Sequence, residues 1–140
     1  MTEKSFLGQK GEKMGGKRIL VIEDNEINMK LVRTLLKIGG YRVLEVRDAE
    51  TGIEVARRDK PDLILMDIQL PAMDGLEATR LIKRDPEIQH IPVIALTSYA
   101  MQGDEKKALE AGCSGYISKP IDTRSFLEIL PEFFLDDSEK

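Results

Sequence analysis

The sequence predicts a doubly wound α/β fold, in which five parallel strands form one sheet with helices on both faces. Four short apolar runs, at residues 18–22, 63–66, 92–96 and 115–118, are typical of strands buried on both sides. Helical patterns separate them. Each run is followed directly by a residue that can take part in chemistry. Because ligands bind beyond the carboxyl ends of strands in such sheets, we expect a site at that edge.

Length and composition indicate one soluble globular domain. The chain has 140 residues, of which 41% are hydrophobic and 33% charged, and its net charge of -4 argues against a nucleic acid partner. Cys113 is the only cysteine, which excludes an internal disulfide and fits a reducing compartment. No run approaches the roughly 18 apolar residues of a membrane span. We therefore expect a cytoplasmic protein without membrane insertion.

The predicted domain covers residues 17–134. Residues 1–16, rich in glycine and lysine, are predicted to form a flexible arm, and residues 135–140 a frayed acidic tail. The five strands are predicted at residues 18–23, 41–46 and 63–66, from about residue 91, and at residues 115–118.

Five helices are expected between and after these strands. Asn25 is a plausible cap for the first, and Gly39 and Gly40 stop it. The bounds of the helices are predicted at about 26–38, 49–59, after the loop 67–75 to about Arg84, 101–111, and from about Thr123.

The last two helices carry particular expectations. The fourth has few apolar anchors and Gly103 in its first turn, so it should move easily. Pro131 cannot continue the fifth helix, because it lacks a backbone N–H. We expect a break near Leu130 and a short final turn through Phe134.

Three acidic residues follow two of the strands. Glu23 and Asp24 come after the first strand and Asp67 after the third. Crowded carboxylates raise one another's pKa unless a cation lies among them, and Mg²⁺ prefers a few carboxylates with water and phosphate. The sequence therefore suggests a magnesium site. Any one of these acids taken alone could equally be a solvated loop residue.

The other strand ends add groups suited to phosphoryl transfer. With a cation bound, Asp67 stays ionised and can attack a phosphoryl group in line to form an acyl phosphate. The Lys119 ammonium would balance charge on the phosphoryl oxygens, and Thr97 offers a neutral hydroxyl. Each of these groups matches a requirement of that reaction.

The motifs together resemble the receiver domain of bacterial response regulators, the CheY-like family, over about residues 17–130. The matching segments are Ile22-Glu-Asp-Asn25, Met66-Asp-Ile-Gln-Leu-Pro71 with Asp74-Gly75, Leu96-Thr-Ser98 and Tyr116-Ile-Ser-Lys-Pro120. The resemblance implies a flavodoxin-like fold with strand order 2-1-3-4-5.

The resemblance also implies roles for the site residues. Asp67 would accept a phosphoryl group from a histidine kinase or a histidine phosphotransfer protein. Glu23 and Asp24 would hold Mg²⁺ together with Asp67 and the backbone carbonyl of Gln69. Thr97 and Lys119 would contact the phosphoryl oxygens, and the bond between Lys119 and Pro120 is expected to be cis.

The family's switch implies two further functional positions. Thr97 would move toward the phosphoryl group and Tyr116 would turn inward, which repacks the face made by the fourth helix, fifth strand and fifth helix. A half-buried strand aromatic without such a role is the alternative for Tyr116.

Gln69 and Tyr99 should flank the path of water to phosphorus. Since Tyr99 is bulky, self-dephosphorylation should be slow, and we expect no other enzymatic activity.

The first helix has more apolar surface than one buried face needs. Its apolar residues cover an arc of roughly 200° at 100° per residue, which is wider than a stripe of about 100°. Docking of a kinase or phosphotransfer helix would use this surplus. The alternative is a helix that is buried from two sides.

Few residues follow Phe134, so we expect a stand-alone receiver that acts by binding a downstream protein. A module excised from a hybrid histidine kinase and a constitutive receiver-like binding module are the alternatives. An aspartyl phosphatase would need a second acid where Gln69 lies. A nucleotide-binding enzyme or a flavodoxin would need a phosphate-binding loop that the sequence lacks.

Overall fold

The computed structural model describes residues 16–98 and 102–135. Nearly all of the predicted arm and tail lies outside the described residues. The strands are β1 Arg18–Ile22, β2 Arg42–Val46, β3 Leu63–Asp67, β4 Val93–Thr97 and β5 Gly115–Ser118. The helices are α1 Glu26–Ile38, α2 Ala49–Asp59, α3 Gly75–Arg84, α4 Gln102–Ala111 and α5 Thr123–Ile129, followed by a 3₁₀ helix, Leu130–Phe133.

The five strands form one parallel sheet in the order β2-β1-β3-β4-β5, which confirms the predicted topology. Successive residues of β1 face opposite sides of the sheet, so Leu20 and Ile22 join one core while Ile19 and Val21 join the other. Side chains of α2, α3 and α4 complete the first core, and those of α1 and α5 complete the second. Both faces of the sheet are therefore covered, as the apolar runs predicted.

Three strands are slightly shorter than predicted. Tyr41 does not begin β2, because its backbone N–H donates to the carbonyl of Leu36 and so closes α1. β4 begins at Val93, two residues later than expected, since Pro92 has no N–H to donate to the sheet. β1 ends at Ile22, although the N–H of Glu23 still bonds to the carbonyl of Val46. Polar side chains therefore start immediately after the ladder.

Side-chain caps fix the beginnings of four helices. Asn25 caps α1, as predicted, and aspartates do the same for three others: Asp48 for α2, Asp74 for α3 and Asp122 for α5. The break at the end of α5 is also confirmed, because the 3₁₀ helix that contains Pro131 begins at Leu130. These caps hold the loops at the carboxyl edge of the sheet in defined positions.

The fourth helix is weakly anchored. Between Gly103 and Ala111, the buried side chains are those of Ala108 and Ala111, and the remaining positions are exposed or half-buried. Alanine buries little apolar area, so this helix contributes little to the core.

Within the described ranges, no helix combines the length and apolar content needed to cross a membrane.

Candidate functional site

Three carboxylates meet at the carboxyl edge of the sheet. Asp67 ends β3, and Glu23 and Asp24 follow the neighbouring strand β1. One carboxylate oxygen from each lies within 4.8 Å of the others. Glu23 is 0% exposed and Asp67 3% exposed, whereas Asp24 faces solvent. The structure thus brings together the three predicted acids, with one open side.

Lys119 provides the positive charge nearest to two of these acids. Its Nζ donates to Oε1 of Glu23 at 2.7 Å and lies 3.4 Å from Oδ2 of Asp67. The side chain is only 11% exposed, so this contact is poorly screened by solvent. One ammonium does not balance three carboxylates. The uncompensated negative charge suits a hard divalent cation.

The environment raises the pKa of Asp67 to about 7. Burial is the largest cause, and hydrogen bonding with the Glu23 carboxyl and repulsion from its charge add to it. The backbone N–H of Gln69, which donates to Oδ1 of Asp67 at 2.9 Å, and the charge of Lys119 act in the opposite direction. A bound divalent cation would favour the ionised carboxylate that a nucleophile requires.

Thr97 lies at the same edge of the sheet. It ends β4 and is buried, with 3% of its surface exposed. Its backbone carbonyl accepts the N–H of Lys119 at 2.7 Å, and Leu96 pairs with Asp67 across the sheet. The bond between Lys119 and Pro120 is cis, as expected. Main-chain contacts thus hold β3, β4 and the Lys119 segment together at the site.

The loop after Asp67 is built around a close backbone approach. A Cβ atom at Gly75 would collide with the backbone carbonyl oxygen of Asp67, so glycine is required there. The N–H of Gly75 also bonds to the carbonyl of Ile68 at 2.9 Å. Ala72 has a left-handed backbone with φ of 66°. This loop presents the N–H of Gln69 to Asp67 and leaves the Gln69 side chain exposed.

The two predicted tyrosine positions, Tyr116 and Tyr99, are not part of the acid cluster as the structure describes it. Tyr116 is half-buried on β5, where it packs against the core on the side of α4. The Glu105 carboxylate on α4 raises the pKa of the Tyr116 hydroxyl, and burial adds to this effect. Tyr99 lies outside the described residues.

The site opens into a polar cleft of about 430 Å³. Five predicted residues line it: Glu23, Asp24, Asp67, Gln69 and Lys119. Four other lining residues were not predicted to belong to the site, which are Asn25, Glu26, Asn28 and Ser98. Ser98 follows Thr97 directly, and Asn25, Glu26 and Asn28 lie at or near the start of α1, shortly after β1. Their closeness to the strand ends is the sequence signal that could have identified them.

The chain is similar to known signalling proteins. Residues 19–131 match the response regulator receiver domain. The polar-differentiation response regulator DivK of Brucella anthropi is 48% identical over 120 residues, which cover 86% of this chain and 98% of that protein. DivK of Brucella ovis has the same identity and coverage.

Solved structures agree in fold. The receiver domain of sensor histidine kinase PA1611 from Pseudomonas aeruginosa PAO1, described with a magnesium ion coordinated in its active site cleft, is 39% identical with a TM-score of 0.79, covering 85% of this chain and 98% of that one. CheY4 of Vibrio cholerae has a TM-score of 0.80 at 21% identity, covering 86% of this chain and 100% of that one. The matched region includes all five strands, except Arg18 at the start of β1, and the three clustered carboxylates. On these grounds the chain belongs to the response regulator receiver domain family.

Proposed function

We propose that the protein is a phosphoacceptor signalling switch, in which Asp67 is phosphorylated by a histidine kinase or a histidine phosphotransfer protein in the presence of Mg²⁺. The observation that carries this proposal is the position of Asp67. Its buried carboxylate lies beside two further acids and 3.4 Å from the Lys119 ammonium, in a cleft open to solvent. Buried acids concentrated around one lysine are costly unless the site binds a cation.

Magnesium fits the donor set of this cleft. Asp24, Asp67 and the backbone carbonyl of Gln69 would hold the ion directly, and Glu23, which already binds Lys119, would act largely through water. All four residues line the cleft or bond within it. The ion supplies charge neutralisation for the incoming phosphoryl oxygens. The magnesium described in the PA1611 receiver supports this assignment.

The chain's own side chains account for the rest of the transfer. An Asp67 carboxylate oxygen attacks phosphorus, and the bond from phosphorus to the donor histidine nitrogen breaks, with its electron pair passing to the imidazole. Lys119 and Thr97 stabilise the phosphoryl oxygens, since positioning and electrostatics supply most of the catalysis in such reactions. Lys119 must loosen its 2.7 Å contact with Glu23 to do so.

The output would be carried by the face formed by α4, β5 and α5. Thr97 and Tyr116 act as the switch, with Tyr116 turning inward when Thr97 moves toward the phosphoryl group. The weak anchoring of α4 supports this, because a helix held by two buried alanines shifts at little cost in packing. The changed face then controls the binding of a downstream protein target.

The only catalytic turnover in this proposal is slow self-dephosphorylation. Gln69 and Tyr99 flank the water path and set the lifetime of the acyl phosphate. The exposed Gln69 side chain at the cleft supports its part in this. The lone cysteine fits a reducing compartment, so we place the switch in the cytoplasm.

Helix α1 is the proposed docking surface for the phosphodonor. Ile27 and Ile38 are 79% and 71% exposed, and Leu31 between them is half-buried. The alternative that α1 is buried from two sides does not agree with these exposures. Ile27 lies in the first turn, beside the cleft residues Glu26 and Asn28. A partner helix packed here would bring its histidine close to Asp67.

Two relatives favour different settings for the same switch. DivK is a response regulator, which supports a receiver that acts in a phosphorelay by binding proteins. The PA1611 receiver is part of a sensor histidine kinase, which supports the alternative of a receiver module from a hybrid kinase. The proposed phosphorylation of Asp67 is the same in both settings.

Intact mass spectrometry after incubation with acetyl phosphate and Mg²⁺ tests the proposal. We expect one added phosphoryl group on the native chain, none without Mg²⁺ and none on Asp67→Ala. Asp104→Ala, which removes an acid on α4 outside the cleft, should still gain the group. If neither acetyl phosphate nor a donor histidine kinase gave an adduct on the native chain, a constitutive binding module would replace the phosphoacceptor as the proposed function.

A further inference from the structure

A second cavity lies at the opposite edge of the sheet from the acid cleft. It has a volume of about 200 Å³. Residues just before β3 and β4 line it, together with Lys17, Phe134 and Leu135. No residue of this cavity has a part in the phosphoacceptor chemistry.

The charged groups of this cavity favour an anion. Lys17 and Lys60 contribute two ammonium groups, and His90 adds an imidazole. Asp62 is the one acid among the described lining residues, and its Oδ2 already accepts the backbone N–H of Arg18 at 2.8 Å. Glu87 lies 3.8 Å from Nζ of Lys60, but it is 69% exposed, so this ion pair is weak. This edge is therefore cationic in a chain whose net charge is -4.

Lys60 is held by hydrogen bonds of its backbone and by its ammonium, whose Nζ donates to the carbonyl of Arg57 at 3.2 Å. The N–H of Lys60 donates to the carbonyl of Ala56, and its own carbonyl accepts Nη2 of Arg18 at 2.8 Å. Lys60 also has a left-handed backbone, with φ of 46°, which a lysine rarely adopts. A restrained Lys60 loses less conformational entropy when a ligand binds.

The segment with His90 is fixed in a comparable way. Nζ of Lys83 donates to the carbonyls of Gln89 and Ile91, the residues on either side of His90, at 3.0 and 2.6 Å. Burial lowers the pKa of Lys83, but these carbonyls provide partners for its ammonium. The imidazole is thus carried on a turn that is clamped from both sides.

The remaining lining is apolar. Pro61, Ile91 and Pro92 are buried residues that contribute to the wall. The Phe134 ring stacks on Tyr41, with centroids 5.7 Å apart, and Lys17 Nζ lies 5.9 Å from its centre. An apolar lining with a few fixed polar groups is the usual make-up of a small-molecule site.

We propose that this cavity binds a small organic anion, whose carboxylate or phosphate contacts Lys17 and Lys60 while a compact apolar body packs against Pro61, Ile91 and Pro92. The proposal does not depend on phosphorylation of Asp67. Both charge and apolar contact are needed, so neither an anion without an apolar body nor a neutral isostere should bind as well.

Two-dimensional NMR titration of the full chain with four probes tests this. Benzoate and phenyl phosphate carry both features and differ in their anionic group, benzamide lacks the charge, and acetate lacks the apolar body. We expect saturable shifts at Asp62, Ile91 and Leu135 with benzoate or phenyl phosphate, at least tenfold weaker with benzamide and acetate. The stronger of the two anions identifies the preferred head group.

Matched variants locate the charge. Lys60→Gln and Lys17→Gln should each weaken binding about fivefold, as expected for loss of one charged contact. Lys106→Gln, on the exposed surface of α4, should leave it unchanged. Equal binding of benzoate and benzamide, shifts that do not saturate, or equal losses in Lys60→Gln and Lys106→Gln would overturn the proposal.

Discussion

Lys119 binds Glu23 more closely than it approaches Asp67, with Nζ 2.7 Å from Glu23 Oε1 and 3.4 Å from Asp67 Oδ2. The fully buried Glu23 therefore holds the ammonium in place before any phosphoryl group arrives. It also raises the pKa of Asp67. Glu23 thus has two effects on its neighbours, and these can be separated by mutation.

Glu23→Gln should lower the pKa of Asp67 from about 7, because the substitution removes a carboxyl group that raises it and leaves Lys119 free to approach. Carbon-13 NMR of the Asp67 carboxyl, followed against pH without Mg²⁺, measures the change. Glu128→Gln, an exposed substitution on α5, is the control and should leave the titration unchanged. An unchanged or higher Asp67 pKa in Glu23→Gln would contradict the assigned cause.

Asp67→Asn should stabilise the metal-free protein above pH 7. Because the native pKa of about 7 exceeds the unfolded value near 3.9, the native state binds more protons between these pH values, and the free energy of unfolding falls as pH rises through that window. The neutral amide removes this loss. Allowing for coupling to Glu23, we expect a gain of about 1–3 kcal/mol at pH 8 and little difference at pH 4.

Urea unfolding at the two pH values, without Mg²⁺, measures this difference. Glu128→Gln again serves as the control, and its stability should follow the native chain at both pH values. A gain in Asp67→Asn that is equally large at pH 4 would mean that the cause is packing and not the proton.

Mg²⁺ should stabilise the native chain through the acid cleft. A tenfold excess over the dissociation constant stabilises the folded state by about 1.4 kcal/mol. Asp24→Asn should abolish most of the shift in melting temperature, because Asp24 is the solvent-facing acid of the cluster. Glu50→Gln, an exposed acid on α2, should keep the full shift. Equal shifts in both variants would place the ion elsewhere.

Gly75→Ala should destabilise the protein and impair phosphorylation. The added methyl group would collide with the backbone carbonyl of Asp67, so the loop must move and carry Asp67 with it. We expect a loss of about 1–3 kcal/mol in urea unfolding and a slower gain of phosphoryl mass. Gly103→Ala is the matched control: no atom lies within 4 Å of its added Cβ, and alanine should stabilise α4 by about 0.5–1 kcal/mol.

Ala72→Gly should stabilise the protein slightly despite glycine's greater freedom in the unfolded chain. Ala72 has φ of 66°, in the left-handed region that disfavours residues with a Cβ by roughly 1–2 kcal/mol. Glycine relieves this strain, less about 0.5–1 kcal/mol for its unfolded-state entropy. Ala108→Gly on α4 should instead cost at least about 1 kcal/mol in urea unfolding. If Ala72→Gly were as destabilising, the left-handed conformation would not be strained.

Much of the fold could be predicted because local signals agree with the tertiary structure. Asn25, Gly39 and Gly40 define the ends of α1, and the buried strands appear as unbroken apolar runs. The errors in strand bounds have local causes. Tyr41 is apolar and precedes a strand, but its N–H closes a helix, and this depends on a contact with Leu36 that propensity does not encode.

The clustering of the three acids could be predicted from the sequence, but the contacts among their side chains could not. The placement of Glu23, Asp24 and Asp67 at neighbouring strand ends follows from the parallel sheet. That Glu23 is fully buried and takes the closest contact of Lys119 depends on side-chain packing, which spacing along the chain does not specify. The basic cavity was not predicted at all, because its residues come from four separate segments.

The main-chain hydrogen bond from Lys119 to the carbonyl of Thr97 fixes the strand ends independently of the outer helices, so the two regions can change separately in evolution. Since the reactive side chains are carried on strand ends joined backbone to backbone, their spacing is insulated from changes on the outer helices. Surface residues such as Ile27 and Ile38 can then diverge without altering the chemistry at Asp67. Gene duplicates of such a chain could acquire new partners while every copy kept the same reaction. Partner specificity among the copies would then be determined by the surface residues of the helices alone.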